Sequence, residues 1–159
     1  GRVVVPSFNE NGYANYFIAR AYGGAWPRYK NPPASRDIIF NELYVNWDED
    51  IVIVEGVFDA IKAGNAIPLL GSTLRENSAL FQAIVKNGRR VFLALDEDAS
   101  KKARSIARLL LKYGVEVHEV DTSGIEDVGD MSKNEFQSRK NNAAIVQKDN
   151  YLLQRLFAV

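Results

Sequence analysis

The segment IVIVEGVFDAI, Ile51–Ile61, decides the class of fold that the sequence predicts. Its first residues are all β-branched and apolar, which is typical of a strand buried on both faces of a sheet. Glu55 follows at once, and Gly56 then allows the chain to turn sharply and to approach a ligand closely. The residues after it predict a helix that ends at Gly64, so a buried strand leads through an acidic turn into a helix.

The same alternation of strand and helix continues towards the C-terminus. The segments IPLL at 67–70, RVFLAL at 90–95 and VEVHEV at 115–120 predict three more strands, with helices between them that end at Gly88 and Gly114. The second of these helices places apolar residues at the spacing of one buried face: Ala103, Ile106, Ala107, Leu110 and Leu111. SKNE at 132–135 fits a capping box that opens a further helix, and a last helix is predicted from about 142 to 157. This pattern predicts an α/β fold with a mainly parallel sheet of about four strands, flanked by helices.

The N-terminal part has a different pattern. Residues 2–8 and 14–22 are rich in β-branched and aromatic residues and flank the turn sequence NENG, which predicts a β-hairpin. The glycines and prolines of residues 23–36 predict an ordered loop, and ELYV at 42–45 fits a short strand or a helical turn. We therefore expect an N-terminal β-rich segment (1–48), an α/β domain (49–140) and a C-terminal helix (141–159).

Composition limits the classes of function. The chain has 159 residues, 47% of them hydrophobic, and its 20 basic and 20 acidic residues give a formal net charge of zero. A zero total still permits a nucleic-acid partner, because opposite charges can lie on different faces. With no cysteine and one histidine, disulfides, thiolate zinc sites and histidine-rich metal sites are excluded. We predict no transmembrane segment and no signal peptide, and the lack of cysteine fits a reducing cytoplasm.

Acidic residues follow three of the predicted strands. Glu55 follows the first strand, Asp96 and Asp98 follow the run VFLAL, and Asp127 and Asp130 follow the run VEVHEV. Ligands of open α/β sheets bind beyond the carboxyl ends of the strands. We therefore expect these acids to meet at one rim of the sheet.

A divalent cation is one way to hold such acids together. Asp59 stands about one helical turn after Glu55 and can face the same rim. Carboxylates packed closely repel one another, and either solvation near helix N-termini or a bound cation relieves that repulsion. Oxygen ligands without histidine or cysteine favour Mg²⁺ or Mn²⁺, ions that also bind phosphate groups, so the pattern points to phosphoryl-transfer chemistry.

The motifs together resemble a known family. VEGVFDA at 54–60, LGSTL at 70–74, LALDEDASKKA at 93–103 and EDVGDMS at 126–132 resemble the successive motifs of the TOPRIM domain. RVVVPSFNENGYANYFIARAY at 2–22 and RYKNPPAS at 28–35 resemble the segment that precedes this domain in bacterial and phage DNA primases. Topoisomerases and some nucleases share the acidic motifs, and RYKNPP favours the primases.

This resemblance implies roles for individual residues. It implies Glu55 as the catalytic residue, acting as metal ligand or general acid–base, and Asp96 with Asp98 as the metal-binding pair. The full set of implied metal ligands is Glu55, Asp59, Asp96, Asp98, Asp127 and Asp130. Two details depart from the family pattern: two residues separate Asp127 from Asp130 where bacterial enzymes commonly have one, and Glu97 stands where glycine is common.

Basic residues are the candidates for contacts with nucleic acid or nucleotides. Arg20, Arg28 and Lys30 are interleaved with Trp26 and Tyr29, a pattern that predicts a groove holding a strand by charge and by stacking. A structural loop whose aromatic rings pack on the core is the competing interpretation. Lys101 and Lys102 stand nearest the acids on a basic helix face, which fits either phosphate binding or an ordinary solvated surface.

The resemblance implies the catalytic core of a DNA primase, which synthesises RNA primers on a single-stranded DNA template from nucleoside triphosphates with Mg²⁺ or Mn²⁺. Bacterial primases carry an N-terminal zinc module, but this chain has no cysteine to build one, so we expect no zinc in it. The resemblance also implies a replicative helicase that binds through segments outside this chain. The chain would then be a portion of the core that need not be active alone. The expected location is the cytoplasm of a bacterial cell, with either the bacterium or a phage as the source and no membrane partner.

Other functions remain open at this stage. A TOPRIM nuclease or a topoisomerase fragment would share the acidic motifs, although a topoisomerase also needs a tyrosine nucleophile. A binding module for nucleic acid or a protein partner would need no catalysis at all. A receiver-like phosphoacceptor domain would need a lysine at the end of a late strand, where this chain has DTSG at 121–124.

Overall fold

A computed structural model describes residues 1–125 and 127–147, which form two sheets. The N-terminal sheet is an antiparallel hairpin of β1 (Arg2–Phe8) and β2 (Ala14–Ala21). The second sheet has five strands in the order β4-β3-β5-β6-β7, of which the first four run parallel and β7 is antiparallel to β6. Its strands are β3 (Ile51–Val54), β4 (Ala66–Pro68), β5 (Val91–Ala94), β6 (Val117–Glu119) and β7 (Ala144–Ile145). The predicted α/β sheet with an N-terminal hairpin is therefore confirmed.

Four helices connect and cover the second sheet in the described part of the chain. They are α1 (Val57–Ala63), α2 (Ala79–Asn87), α3 (Ser100–Lys112) and α4 (Lys133–Asn141). Short 3₁₀ turns span Glu42–Tyr44, Glu97–Ala99 and Val128–Asp130. ELYV is thus mostly a helical turn, one of the two conformations that its sequence fits. Within the described ranges, no helix is long and apolar enough to cross a bilayer.

The central strands β3 and β5 supply both faces of the core. Every residue of these two strands is buried, as expected of parallel strands covered on both sides. Ile51, Ile53 and Leu93 face the side covered by α2 and α3, whereas Val52 and Val54 face the side of α1 and α4. Because side chains alternate along a strand, this double burial fixes the register of β3, and with it the place where Glu55 leaves the sheet.

The helix boundaries follow local side-chain chemistry. Ser78 caps α2 by accepting the backbone N–H of Phe81 at 3.4 Å, and Gly88 ends that helix with a φ of 61°. Ser132 accepts the N–H of Glu135 at 3.1 Å, which confirms the helix start predicted at SKNE. The predicted buried face of α3 is confirmed at Ala103, Ile106, Ala107 and Leu110.

The hairpin carries a short extension along its β2 edge. The N–H of Ala21 donates to the carbonyl of Arg28 at 2.8 Å, and the N–H of Lys30 donates to the carbonyl of Ala19 at 2.9 Å. Residues 28–30 therefore continue the antiparallel pairing. We call residues 20–30 the basic ribbon. Tyr16 and Ile18 of β2 pack with Phe40 and with Val57 of α1, which sets the ribbon beside the carboxyl end of β3.

The predicted C-terminal helix does not begin near residue 142. α4 ends at Asn141, and Ala144 and Ile145 form β7, paired with Glu119 and His118 of β6. The N–H of Val146 also donates to the carbonyl of Val117 at 2.8 Å. Backbone hydrogen bonds to the open edge of β6 outweigh the intrinsic helix propensity of these residues. The rest of the predicted helix, residues 148–159, lies outside the described residues, and the division of the chain into three units stays a prediction.

Candidate metal centre and nucleic-acid interface

Acids from three strand ends and one helix start meet at one rim of the five-stranded sheet. Glu55 follows β3, Asp96 follows β5, and Asp127 precedes the 3₁₀ turn after β6. Asp59 lies in the first turn of α1. Asp59, Asp96 and Asp127 each offer a carboxylate oxygen, and these oxygens all lie within 4.8 Å of one another. We call these four residues the acid rim.

Asp59 is the most tightly held acid of the rim. Its side chain is 5% exposed, and its Oδ2 accepts the N–H of Gly56 at 2.8 Å. Its Oδ1 accepts the N–H of Gly129 at 3.0 Å, and the same N–H also donates to Asp127 Oδ1 at 2.8 Å. One backbone amide therefore draws two carboxylates together. The hydroxyl of Thr122 donates to the carbonyl of Leu95 at 2.8 Å and ties the chain after β6 to the end of β5.

The two glycines allow this close approach because they lack a side chain. A Cβ at Gly129 would lie 3.1 Å from Asp127 Oδ1 and 3.2 Å from Asp59 Oδ1. A Cβ at Gly56 would lie 3.1 Å from Asp59 Oδ2. Gly56 has a φ of −121°, which any residue adopts, so the sharp turn expected from its sequence is not what requires a glycine. Glycine is favoured there because Asp59 leaves too little space for a side chain.

Crowding at the rim changes the proton affinity of its acids. Burial, and then a hydrogen bond to Asp127, raise the pKa of Asp59 to about 7. That hydrogen bond lowers the pKa of Asp127, so the two carboxyl groups share one proton at pH values below about 7. Burial, and then the charge of Glu55, raise the pKa of Asp96 to about 6. The rim thus resists full ionisation near neutral pH.

The oxygen atoms of the rim fit a divalent cation. Asp96 Oδ1 and Glu55 Oε1 are buried without a hydrogen-bond partner among the described residues, which is costly unless something else binds them. Glu55 Oε2 accepts a hydrogen bond from Lys102 Nζ at 2.6 Å. A set of carboxylate oxygens without nitrogen or sulfur ligands suits Mg²⁺ or Mn²⁺.

Three acids predicted as ligands lie outside the group of clustered oxygens, namely Glu55 of the rim and the exposed residues Asp98 and Asp130. Asp98 lies in the exposed 3₁₀ turn after Asp96, and Asp130 is exposed at the end of the turn that Asp127 precedes. Neither belongs to the group of acids whose oxygens lie within 4.8 Å. The negative charge of Asp98 still contributes to the raised pKa of Asp96. A metal-binding role for Asp98 and Asp130 stays a prediction.

A cleft of about 390 Å³ separates the acid rim from the basic ribbon. Arg20 borders this cleft, and its guanidinium carbon lies 5.0 Å from the centre of the Phe58 ring. Arg28 is exposed and lies 5.8 Å from the centre of the Tyr29 ring. The positive charges of both arginines help to lower the pKa of Asp127. The ribbon and the rim therefore interact electrostatically across the cleft.

The other predicted basic residues have different surroundings. Lys30 is exposed on the ribbon, and Lys101 is exposed at the start of α3. Lys102 is half-buried and bound to Glu55, so its charge offsets a rim carboxylate. Lys102 therefore does not belong to an ordinary solvated surface, which was one of the two interpretations of the basic helix face.

Residues that the sequence did not single out also line the cleft. Asn31 and Arg36 border it, and Arg36 Nη1 donates to the carbonyl of Leu70 at 3.4 Å. Gly129 is the most important residue that the sequence did not single out, because its N–H contacts both Asp59 and Asp127. The spacing DVGD contained a hint, since a glycine between two acids favours close approach of the backbone. No sequence pattern marks Arg36.

The chain is similar to known DNA primases. It is 31% identical over 152 residues to the DNA primase of Thermotoga maritima, a match that covers 85% of this chain and 26% of that protein. The chain therefore spans about a quarter of the length of this curated relative. No family model matches the chain.

Solved primase structures share the fold. The DnaG primase catalytic domain bound to single-stranded DNA superposes with a TM-score of 0.78 at 20% identity, over 98% of this chain and 55% of that one. The zinc-binding and RNA polymerase domains of the Aquifex aeolicus primase give 0.74 at 24% identity, over 98% and 43%. The E. coli primase catalytic core gives 0.75 at 19% identity, over 98% and 56%. In sequence the chain is similar to part of a DNA primase, and in fold it matches the catalytic cores of DNA primases, which contain the TOPRIM fold.

Proposed function

We propose that this chain is the TOPRIM-containing portion of a primase core that makes RNA primers on single-stranded DNA by nucleotidyl transfer. The observation that carries the proposal is the group formed by Asp59, Asp96 and Asp127, which faces the basic ribbon across one cleft. Primer synthesis brings together two polyanions, the template and the triphosphate, at a centre that needs cations. The clustered acids can bind these cations, and the arginines on the other side of the cleft can bind the polyanions.

The acid rim is the proposed metal centre. Asp59, Asp96 and Asp127 would hold Mg²⁺ or Mn²⁺, and the buried oxygens of Asp96 and Glu55 that lack a partner in the described chain would be available to the same ions. Asp98 and Asp130 are exposed beside them and are proposed as ligands through water. Such ions reduce the charge of a triphosphate and polarise an attacking hydroxyl.

Glu55 is the proposed catalytic residue of the rim. Its Oε2 is held by Lys102, while its buried Oε1 has no partner in the described chain and points to a role towards metal or substrate. A cation bound at the rim would displace the proton from Asp59, because metal and proton compete for the same oxygens. The backbone amides of Gly56 and Gly129 keep both of its oxygens in place during that change.

The basic residues bind the two polyanions. Arg20, Arg28 and Lys30 hold the phosphates of a single-stranded DNA template along the ribbon. Lys101 and Lys102, at the start of α3 next to the rim, attract the triphosphate of the incoming nucleotide. Replication in a bacterial cytoplasm, with a helicase that contacts other segments of the enzyme, is the proposed setting.

The test is primer synthesis on a single-stranded template with labelled ribonucleotides and Mg²⁺ or Mn²⁺. Because the chain spans about a quarter of its relative, the assay is made with the chain alone and with any longer protein encoded by the same gene. Glu55→Gln should eliminate synthesis while the fold, followed by circular dichroism, and the template affinity stay nearly unchanged. Full synthesis by this variant would contradict the role of Glu55. DNA cleavage without synthesis by the unmodified protein would replace the primase proposal by a nuclease.

A further inference from the structure

Trp26 is unusually exposed for a tryptophan. It is 88% exposed, although tryptophan is among the most buried residue types on average. The other tryptophan of the chain, Trp47, is partly buried and packs against the core under the five-stranded sheet. An exposed ring of this size contributes nothing to the core, so its position is better explained by contact with a partner.

The backbone on the C-terminal side of Trp26 is held in place. Arg2 Nη2 donates to the carbonyl of Pro27 at 2.7 Å. The carbonyl of the next residue, Arg28, accepts the N–H of Ala21 at 2.8 Å. These hydrogen bonds restrict the motion of the backbone next to Trp26 and therefore the positions that its ring can occupy. A platform fixed in advance loses less conformational entropy when it binds a ligand.

The surroundings of Trp26 specify the chemistry of the partner. Residues 20–30 contain Arg20, Arg28 and Lys30 and no acid. Tyr22 and Tyr29 are also exposed, by 62% and 44%. Cations alternating with flat rings suit a chain that alternates phosphates with aromatic bases. That chain is a single strand of nucleic acid, since duplex bases present only their edges.

The same surface continues into the cleft in front of the acid rim. Tyr29 lines the cleft and forms a backbone bridge with Arg20, which lines it too. Trp26 stands three residues before Tyr29, at the outer end of this ribbon. A strand that lies on Trp26 can therefore continue past Arg28 and Tyr29 towards Asp127.

We propose that Trp26 is a base-stacking platform that holds single-stranded nucleic acid at the entrance of the acid cleft. This inference rests on the proposed function, which supplies a template strand, and adds a contact whose strength does not depend on salt. Charge contacts by Arg28 and Lys30 weaken as salt is added, whereas stacking of a base on the indole ring stays. The ribbon thus binds the strand by charge contacts and by stacking, and salt dependence separates the two.

Tryptophan fluorescence tests the contact directly in the 159-residue chain. Trp47→Phe leaves Trp26 as the only tryptophan, and Trp26→Phe leaves Trp47. Titration with an oligothymidylate of about 20 nucleotides should quench the fluorescence of Trp47→Phe and leave that of Trp26→Phe almost constant. Quenching confined to Trp47 would overturn the proposal.

Affinity measurements by fluorescence anisotropy of a labelled oligothymidylate complete the test. Trp26→Ala should weaken binding roughly tenfold with an unchanged salt slope, and Trp26→Phe should recover part of the loss. Tyr13→Ala is the matched control, because Tyr13 is 72% exposed at the opposite end of the hairpin. It should bind like the unmodified chain, and an equal loss in both variants would overturn the proposal.

Arg28→Ala separates this inference from the proposed function. It should lower the salt slope by about one, as expected for a lost phosphate contact. If Arg28→Ala behaves so while Trp26→Ala binds normally, template binding stands and the stacking role is wrong. If the unmodified chain does not bind the oligonucleotide at all, both the template-binding part of the proposed function and the stacking role fail.

Discussion

The acid rim and the basic ribbon face each other across one cleft and are built in opposite ways. The rim is packed: Asp59 is buried, its oxygens accept hydrogen bonds from backbone amides, and burial together with Asp127 raises its pKa to about 7. The ribbon is open: Arg28 and Lys30 are exposed, and Arg20 is half-buried against Phe58. Changes in the rim should therefore alter stability, pH dependence and metal binding, whereas changes in the ribbon should alter only the affinity for single-stranded nucleic acid.

The largest expected effect is the loss of metal-induced stabilisation in Asp96→Asn. A cation bound only to the folded state, at about a hundred times its Kd, stabilises by about 2.7 kcal/mol. For a chain of this size that corresponds to a rise in Tm of roughly 5–10 °C. We expect Asp96→Asn to abolish the rise with Mn²⁺, because it removes one of the three clustered carboxylates. Thermal unfolding followed by circular dichroism, with and without Mn²⁺, measures it.

Asp98→Asn is the matched control for Asp96→Asn. The two residues belong to the same short turn, but Asp98 is exposed and outside the three-acid cluster. It should keep most of the metal response. Equal loss in both variants would mean that the ion is bound as the sequence motif implies, with Asp98 as a direct ligand.

The second expected effect is a fall in the stability of the metal-free chain as pH rises. The folded-state pKa values of Asp59 and Asp96, about 7 and about 6, lie above the ordinary value of 3.8. The stability that these acids contribute is therefore fully present below pH 3.8 and is lost as pH rises through about 6 and 7. Urea unfolding between about pH 4 and pH 8 measures this profile.

Asp59→Asn sharpens the pH prediction. Asparagine imitates the protonated acid, so the variant should lose the part of the pH dependence that lies near pH 7. A ribbon variant such as Lys30→Ala should keep the profile of the unmodified chain. If Asp59→Asn keeps it as well, the proton does not reside on Asp59.

A smaller effect is expected from Lys102, whose ammonium group neutralises Glu55. Lys102→Met should bind Mn²⁺ about three- to tenfold more tightly, an effect of roughly 0.7–1.4 kcal/mol, because a competing cation is gone. Lys101→Met, which changes the neighbouring exposed lysine, should have a clearly smaller effect. Isothermal titration calorimetry measures both. Weaker Mn²⁺ binding in Lys102→Met would mean that Lys102 holds Glu55 in position for the ion.

The smallest effect is expected on the ribbon side. Lys30→Ala should lower the affinity for single-stranded DNA by a few fold and reduce the salt slope by at most about one, while the stability changes by less than about 0.5 kcal/mol. Arg89→Ala is its control, since Arg89 lies just before β5, at the end of that strand away from the rim, and pairs with Asp48. If the two variants bind DNA alike, Lys30 is not part of the interface.

Local patterns were enough to predict most of the fold and the general position of the site. Buried strands such as β3 and amphipathic helices such as α3 have periodicities that reflect short-range geometry. The predicted helix at 142–157 is wrong at Ala144 and Ile145, because the open edge of β6 decides their conformation and no short sequence window contains that edge.

The shared position of the acids follows from sequence alone: they come after three predicted strands, and parallel strands place their carboxyl ends at one rim whatever the loops do. Which acids come together depends on the folded chain: Asp59, Asp96 and Asp127 converge, while Asp98 and Asp130 are exposed. The fold also determines that Lys102 binds Glu55 and that one amide, from Gly129, joins two carboxylates. Charge interactions and hydrogen bonds depend on distances through space, and residues 70 positions apart, such as Asp59 and Gly129, acquire such a distance only when the chain folds.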